Sequence, residues 1–174
     1  MTTQQEIARF GVEVPDWYKG YVKALGNRNF LDVMKQLQQA TPSFLEEIPE
    51  QRWDFSYAPG KWTIRELVMH MMDAERIFAY RTLRFARNDA TELAGFDEDA
   101  YIPFTNAADR SASSLISEYK TIRAATISLF ESFDDEMMMR IGKANGNKFS
   151  VLLSGVIIVG HEMHHLNIIR ERYL

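Results

Sequence analysis

Thr63-Ile64-Arg65-Glu66-Leu67-Val68-Met69-His70-Met71-Met72-Asp73-Ala74 opens the most regular stretch of this 174-residue chain. Thr63 is followed three residues later by Glu66. The threonine hydroxyl can accept from a free amide of the first turn while the carboxylate reaches back to the Thr63 N–H. From there Ile64, Leu67, Met71, Ala74, Phe78 and Phe85 alternate spacings of three and four, with Arg81 in the remaining place. One stripe of a long helix therefore faces a core. Just before it, Tyr57-Ala58-Pro59-Gly60-Lys61-Trp62 is turn chemistry flanked by aromatic anchors, which should fix how the chain runs into the helix.

The same register appears on either side. Phe30, Met34, Leu37, Phe44 and Ile48 keep it, with Thr41 in the vacant place and Pro42 interrupting. Either that helix kinks, or Thr41 caps a second short helix with Pro42 in its first turn. Residues 88–111 lack sustained periodicity and read as a long connection. Leu115, Tyr119, Ile122, Leu129 and Phe133 mark a third helix. After a loop at Gly142-Lys143-Ala144-Asn145-Gly146-Asn147, a last helix runs from about Ser150 nearly to the terminus. Its first half is apolar on almost every face and should be buried on several sides. Ser154, Gly155 and Gly160 would let neighbours approach closely. No segment reads as a credible strand. The expectation is an all-α chain, a four-helix bundle with a long crossover after the second helix. Residues 1–174 read as one domain, with 1–28 an N-terminal extension.

Composition narrows the function. Hydrophobic residues make up 46% and charged residues 25%, an ordinary globular balance. The formal charge of −4 lacks the basic surplus of a generic nucleic-acid binder. The absence of cysteine excludes disulfides, Cys-ligated zinc, Fe–S clusters and a cysteine nucleophile. The longest apolar stretch, Val151 to Val159, is broken by Ser154 and Gly155 and is far short of a bilayer span. The polar start, Met1-Thr2-Thr3-Gln4-Gln5-Glu6, lacks a signal pattern, so a cytoplasmic location is expected.

The chain has four histidines, His70, His161, His164 and His165. His161 and His165 are four apart on the last helix and can direct their rings at one point, as a metal ion needs. Their stripe continues through Ser154, Ile158, Ile168 and Arg172, and its apolar members suggest a face turned into the bundle. His70, beside the seam residue Met71, can supply a third nitrogen from a facing helix. That would make a three-histidine site with an open coordination position. The alternative is a set of core or surface histidines with ordinary partners. His164 is off the stripe and suits packing or support of a ligand.

The window also spells H-E-x-x-H, a zincin motif. A metzincin would continue with Gly at 168 and His at 171, where this chain has Ile168 and Glu171. The short run after His165 is expected to leave no room for a downstream glutamate ligand, so the protease reading is weak. Glu162 lies among Val159, Leu166 and Ile169, and a buried carboxylate needs a partner or a raised pKa. It either pairs with an arginine such as Arg81 or Arg84, or orients a ligand histidine or acts as a base. Asp73, one turn after His70, is a similar candidate, against the alternative of a solvated helix face. Arg81 and Arg84 could bind an anionic substrate group.

Three blocks together resemble the DinB-like superfamily. They are Tyr57 to Glu66 with His70 and Asp73-Ala74-Glu75, then Gly95-Phe96-Asp97-Glu98-Asp99-Ala100-Tyr101, then Gly160-His161-Glu162-Met163-His164-His165. With the periodic segments around them they span roughly residues 30–172. The resemblance implies a four-helix bundle, often a homodimer, with a divalent metal held by His70, His161 and His165. It also implies chemistry with small thiols such as bacillithiol or mycothiol.

The leading expectation is a metal-dependent transferase that joins a low-molecular-weight thiol to an electrophilic small-molecule substrate. The first alternative is a hydrolase using metal-bound hydroxide, with Glu162 or Asp73 as base. The second is a non-enzymatic metal-binding stress-response module. Zinc is the default ion, with nickel, iron or manganese as alternatives. Neither nucleic acid nor membrane is expected as a partner.

Overall fold

The computed structural model describes Ile7 and residues 12–174. A short helix, α1 (Lys19–Leu25), precedes the long helices α2 (Phe30–Glu46), α3 (Ile64–Ala86), α4 (Ala112–Glu131) and α5 (Val151–Ile168). Helices α2 and α3 each pack against both α4 and α5, and α1 lies along α5. The fold is the expected four-helix bundle.

Each long helix starts where a side chain takes up orphan amides. Asn29 accepts from Leu31 N at 2.9 Å and Asp32 N at 3.2 Å. Ser111 and Ser150 cap α4 and α5. At α3 both halves of the capping box form, with Glu66 N to Thr63 Oγ1 at 3.2 Å and Thr63 N to Glu66 Oε2 at 2.7 Å. Such caps contribute about 1 kcal/mol each. The α3 start is held further by Trp53, which is fully buried and whose carbonyl accepts from Arg65 N at 3.2 Å. The buried Arg65 donates to Asp54 and Glu50 at 2.7 and 2.6 Å and to the Arg110 carbonyl. One guanidinium thus ties the approach to α3 to the end of the long connection.

Pro42 sits inside α2 without ending it. Of the two sequence readings, the second falls: α2 runs on through Pro42, and Thr41 caps nothing. Its hydroxyl turns inward instead, to Glu162.

Two apolar clusters fill the bundle. One gathers Phe30, Met34, Phe78, Phe85, Phe130 and Val156; the other gathers Leu45, Trp53, Leu67, Met72, Leu115 and Leu166. Burial of each large side chain contributes roughly 1.5–3 kcal/mol. The first half of α5 is buried almost throughout, as its sequence suggests. At Gly160 an added Cβ would lie 2.4 Å from Tyr21 Cβ and 2.8 Å from Tyr21 Cα. Only glycine lets α1 lie this close to α5.

The reading of no credible strand is corrected. Residues Ile141–Ala144 (β1) and Asn147–Ser150 (β2) pair antiparallel. Asn145 and Gly146 turn the hairpin with φ of 48° and 75°, the left-handed pair that a tight two-residue turn requires. Four-residue strands carry too little alternation to register as periodicity, so the Asn-Gly pair was the only available signal. The long connection is stitched to this hairpin, with Leu93 N to Lys143 O at 2.9 Å and Asn145 N to Leu93 O at 3.0 Å. That connection also contains short helical turns, including Glu98–Tyr101. Among the described residues no helix is long and apolar enough to cross a membrane.

Candidate metal centre

The helix register that buries Met71 carries His70 toward α5, and α5 presents His161 and His165 one turn apart. His161 Nε2 lies 2.9 Å from His70 Nε2 and 3.0 Å from His165 Nε2. The three ring nitrogens converge. An imidazole nitrogen offers one proton or one lone pair, so His161 Nε2 can satisfy one neighbour by hydrogen bonding and not both. A cation at the common point would use all three lone pairs, and among the described residues this is the group with that character.

The rings are kept neutral. Burial pushes His70 down to about 4 and His165 down to about 3. His161 is also held well below its ordinary value by burial and by the neighbouring imidazoles. Neutral imidazole is the ligating form, so the donor set fits a divalent ion. Aromatic packing fixes the ring positions. Trp62 lies against His70 with centroids 4.7 Å apart, and Tyr21 lies 5.8 Å from His161. His164 is exposed and packs its ring 5.1 Å from His165 and 5.6 Å from Tyr21.

The histidines line a cavity of about 390 Å³. Its walls are mostly aromatic, with Tyr18, Tyr21, Trp62, Phe78 and Phe149 prominent, and Arg81 and Glu98 also reach it. Tyr18 and Tyr21 come from the segment read as an N-terminal extension, and Asn145, Asn147 and Phe149 come from the hairpin. Sequence reasoning missed these residues. The hairpin residues had one local signal, the Asn-Gly turn, and Tyr18 and Tyr21 had none.

The two expected carboxylates lie elsewhere. Glu162 is buried and accepts on Oε1 from Thr41 and from Tyr119, each at 2.5 Å. Its other oxygen lies 2.5 Å from Arg123 Nη2. The arginine partner is therefore Arg123 of α4, and neither Arg81 nor Arg84. Arg123 also donates to both oxygens of buried Glu75 at 3.0 and 2.7 Å. Asp73 is half-buried 3.8 Å from Arg76, and burial raises its carboxyl above the ordinary range. Neither Glu162 nor Asp73 hydrogen-bonds a histidine among the described residues, and neither lines the cavity. His165 Nδ1 is buried without a hydrogen-bond partner among them, so ring packing rather than a carboxylate orients this imidazole. Arg84 is taken up by Asp89 and Tyr80.

A family model described as the DinB superfamily matches residues 34–169. The chain belongs to the DinB superfamily. A comparison with curated proteins finds no match. Among solved structures, this DinB-superfamily chain is similar to YfiT from Bacillus subtilis, described as a probable metal-dependent hydrolase with an unusual four-helix bundle topology. The two superpose with a TM-score of 0.72 over 82% of each chain at 18% identity. The likeness is one of fold.

Proposed function

We propose that this DinB-superfamily protein is a metal-dependent enzyme that joins a small-molecule thiol to an electrophilic substrate. His70, His161 and His165 hold the divalent ion at the wall of the aromatic cavity. The observation that carries this reading is what the cavity wall lacks. Among the described residues its lining contains no serine, threonine, cysteine or lysine, and the one carboxylate there, Glu98, is solvent-exposed. With the lining tyrosines kept protonated by burial, on this reading the nucleophile comes from solution and loses its proton without a buried carboxylate or lysine as base.

A thiol, with an ordinary pKa of about 8.5 against about 15.7 for water, starts closer to ionisation before the ion lowers either. When bound, the ion supplies positive charge that favours the ionised nucleophile, and three neutral ligands leave that charge uncompensated. The chain's own residues bind and orient. Trp62 and Phe78 pack apolar substrate surface and exclude water. Tyr18 and Tyr21, both raised above the ordinary tyrosine value by burial, stay protonated and can donate to a substrate oxygen. Hydrolysis by water in the same cavity is the second reading, supported by the description of YfiT. Zinc is the starting ion, and imidazole donors suit nickel equally.

The test combines metal content with turnover. Protein purified without a histidine tag should carry about one ion per chain, and His70→Ala and His161→Ala should lose it. The loaded protein should then consume cysteine or a similar thiol in the presence of 1-chloro-2,4-dinitrobenzene. Sulfur bonds to carbon, chloride leaves with the electron pair, and the thiol proton passes to solvent. Ester cleavage that needs no thiol would favour the hydrolase. Full thiol turnover by metal-free His161→Ala would overturn the metal-dependent reading.

A further inference from the structure

Arg81 is the one arginine lining the cavity among the described residues, and it is only 6% exposed. Every other arginine buried below a tenth among the described residues has a carboxylate partner: Arg65 has Asp54 and Glu50, and Arg123 has Glu75 and Glu162. Among the described residues Arg81 has none. One of its five N–H groups donates, through Nη2, to the Ala94 carbonyl at 2.6 Å. The guanidinium carbon lies 5.5 Å from the ring centroids of both Phe78 and Phe96, which holds the plane in place without neutralising it. Its other nitrogens form no hydrogen bond among the described residues, and the residue lines the cavity.

A charge removed from water and left unpaired is costly. The surrounding apolar residues make it dearer, and burial pulls this guanidinium below its ordinary pKa. A carboxylate brought into the cavity would supply the missing partner.

We infer that Arg81 is the anion-recognition residue of the cavity, and that the substrate or its thiol partner is an elongated molecule ending in a carboxylate. The length follows from α3. His70, Ala74, Phe78 and Arg81 all line the cavity from one helical face. His70 and Arg81 are eleven residues apart, about 16 Å along the axis at 1.5 Å per residue. That is the separation of the two backbones, and a molecule with a body between its ends spans it better than a small free anion. An aromatic or alkyl body packed on Phe78 and Trp62 can do so, with its carboxylate on the guanidinium fork and its reacting end at the histidines. This inference rests on the cavity being the substrate site, while the anion subsite stands apart from the identity of the nucleophile.

The experiment measures binding of benzoate, 4-phenylbutyrate and 6-phenylhexanoate against benzyl alcohol, 4-phenylbutanol and 6-phenylhexanol. Quenching of tryptophan fluorescence reads it, since Trp62 and Trp17 line the cavity. Wild-type protein is titrated both metal-loaded and after chelation. The longer acids should bind about tenfold or more tighter than their alcohols, in both metal states, with benzoate showing little gain. Arg81→Gln should abolish the preference and leave alcohol binding in place. Equal affinity of acids and alcohols in wild type would overturn the inference and leave Arg81 as a pin for Ala94. A preference that vanishes on chelation, or survives in Arg81→Gln, would place the carboxylate on the ion and overturn it equally. If Arg81→Gln does not fold, the acid-to-alcohol ratio in chelated wild type decides alone. Failure of the thiol reaction with this preference intact would dismiss the transferase and keep the subsite.

Discussion

Arg123 Nη2 and Glu162 Oε2 lie 2.5 Å apart in the middle of the bundle, with 1% and 3% of their side chains exposed. Glu75 shares the same guanidinium, so one cation serves two carboxylates. Removing the cation leaves two carboxylates facing each other out of water. Arg123→Met should therefore destabilise the fold by about 3–5 kcal/mol. In a chain of this size that is a fall of roughly 10 °C in melting temperature. Adding Glu75→Gln to that variant should recover part of the loss. A single variant that melts with wild type would show that the network is hydrated in the folded protein.

Acid should destabilise the metal-free protein through its histidines. Burial lowers His70 to about 4 and His165 to about 3, against about 6.5 in an unfolded chain. Between pH 6.5 and 4 the unfolded state binds more protons, so stability falls as pH falls. Each histidine adds up to about 1.4 kcal/mol per pH unit over that window. Melting curves of chelated protein from pH 7 to 4.5 should show it, with a shallower fall for His70→Gln. Identical slopes in the two proteins would contradict the buried neutral state of His70.

An ion that binds only the folded site stabilises by mass action. At a free concentration 100 times its dissociation constant, zinc or nickel should add about 2.7 kcal/mol. That is roughly 5–10 °C by differential scanning fluorimetry, reversed by chelator. His161→Ala should show no shift, and a shift of wild-type size in that variant would locate the binding elsewhere.

Gly160→Ala tests how α1 is seated. The new Cβ would meet Tyr21 backbone and side chain at 2.4 to 2.8 Å, and neither can yield without moving the helix. Overpacking of this kind costs about 1–3 kcal/mol, readable as a lower urea midpoint with an unchanged m-value. Because Tyr21 lies against His161, the same variant should also bind metal more weakly. Wild-type stability and affinity would mean that α1 shifts freely on α5.

How much was legible in the chain depends on range. Local chemistry wrote the helix starts at Thr63 and about Ser150, because a cap and its amides are three residues apart. The spacing of four brought His161 and His165 onto one face, since helical geometry fixes that without any neighbour. The Asn145-Gly146 turn was equally local, and its strands went unread because four residues hold too little alternation. Other facts join residues that the sequence keeps far apart. The pairing of Glu162 with Arg123 rather than Arg81 or Arg84, the seat of Tyr21 over His161, and the unpaired state of Arg81 in a shared cavity all depend on which helix faces are neighbours. Periodicity shows that a face is buried but carries no record of what it is buried against. Packing in three dimensions supplies that.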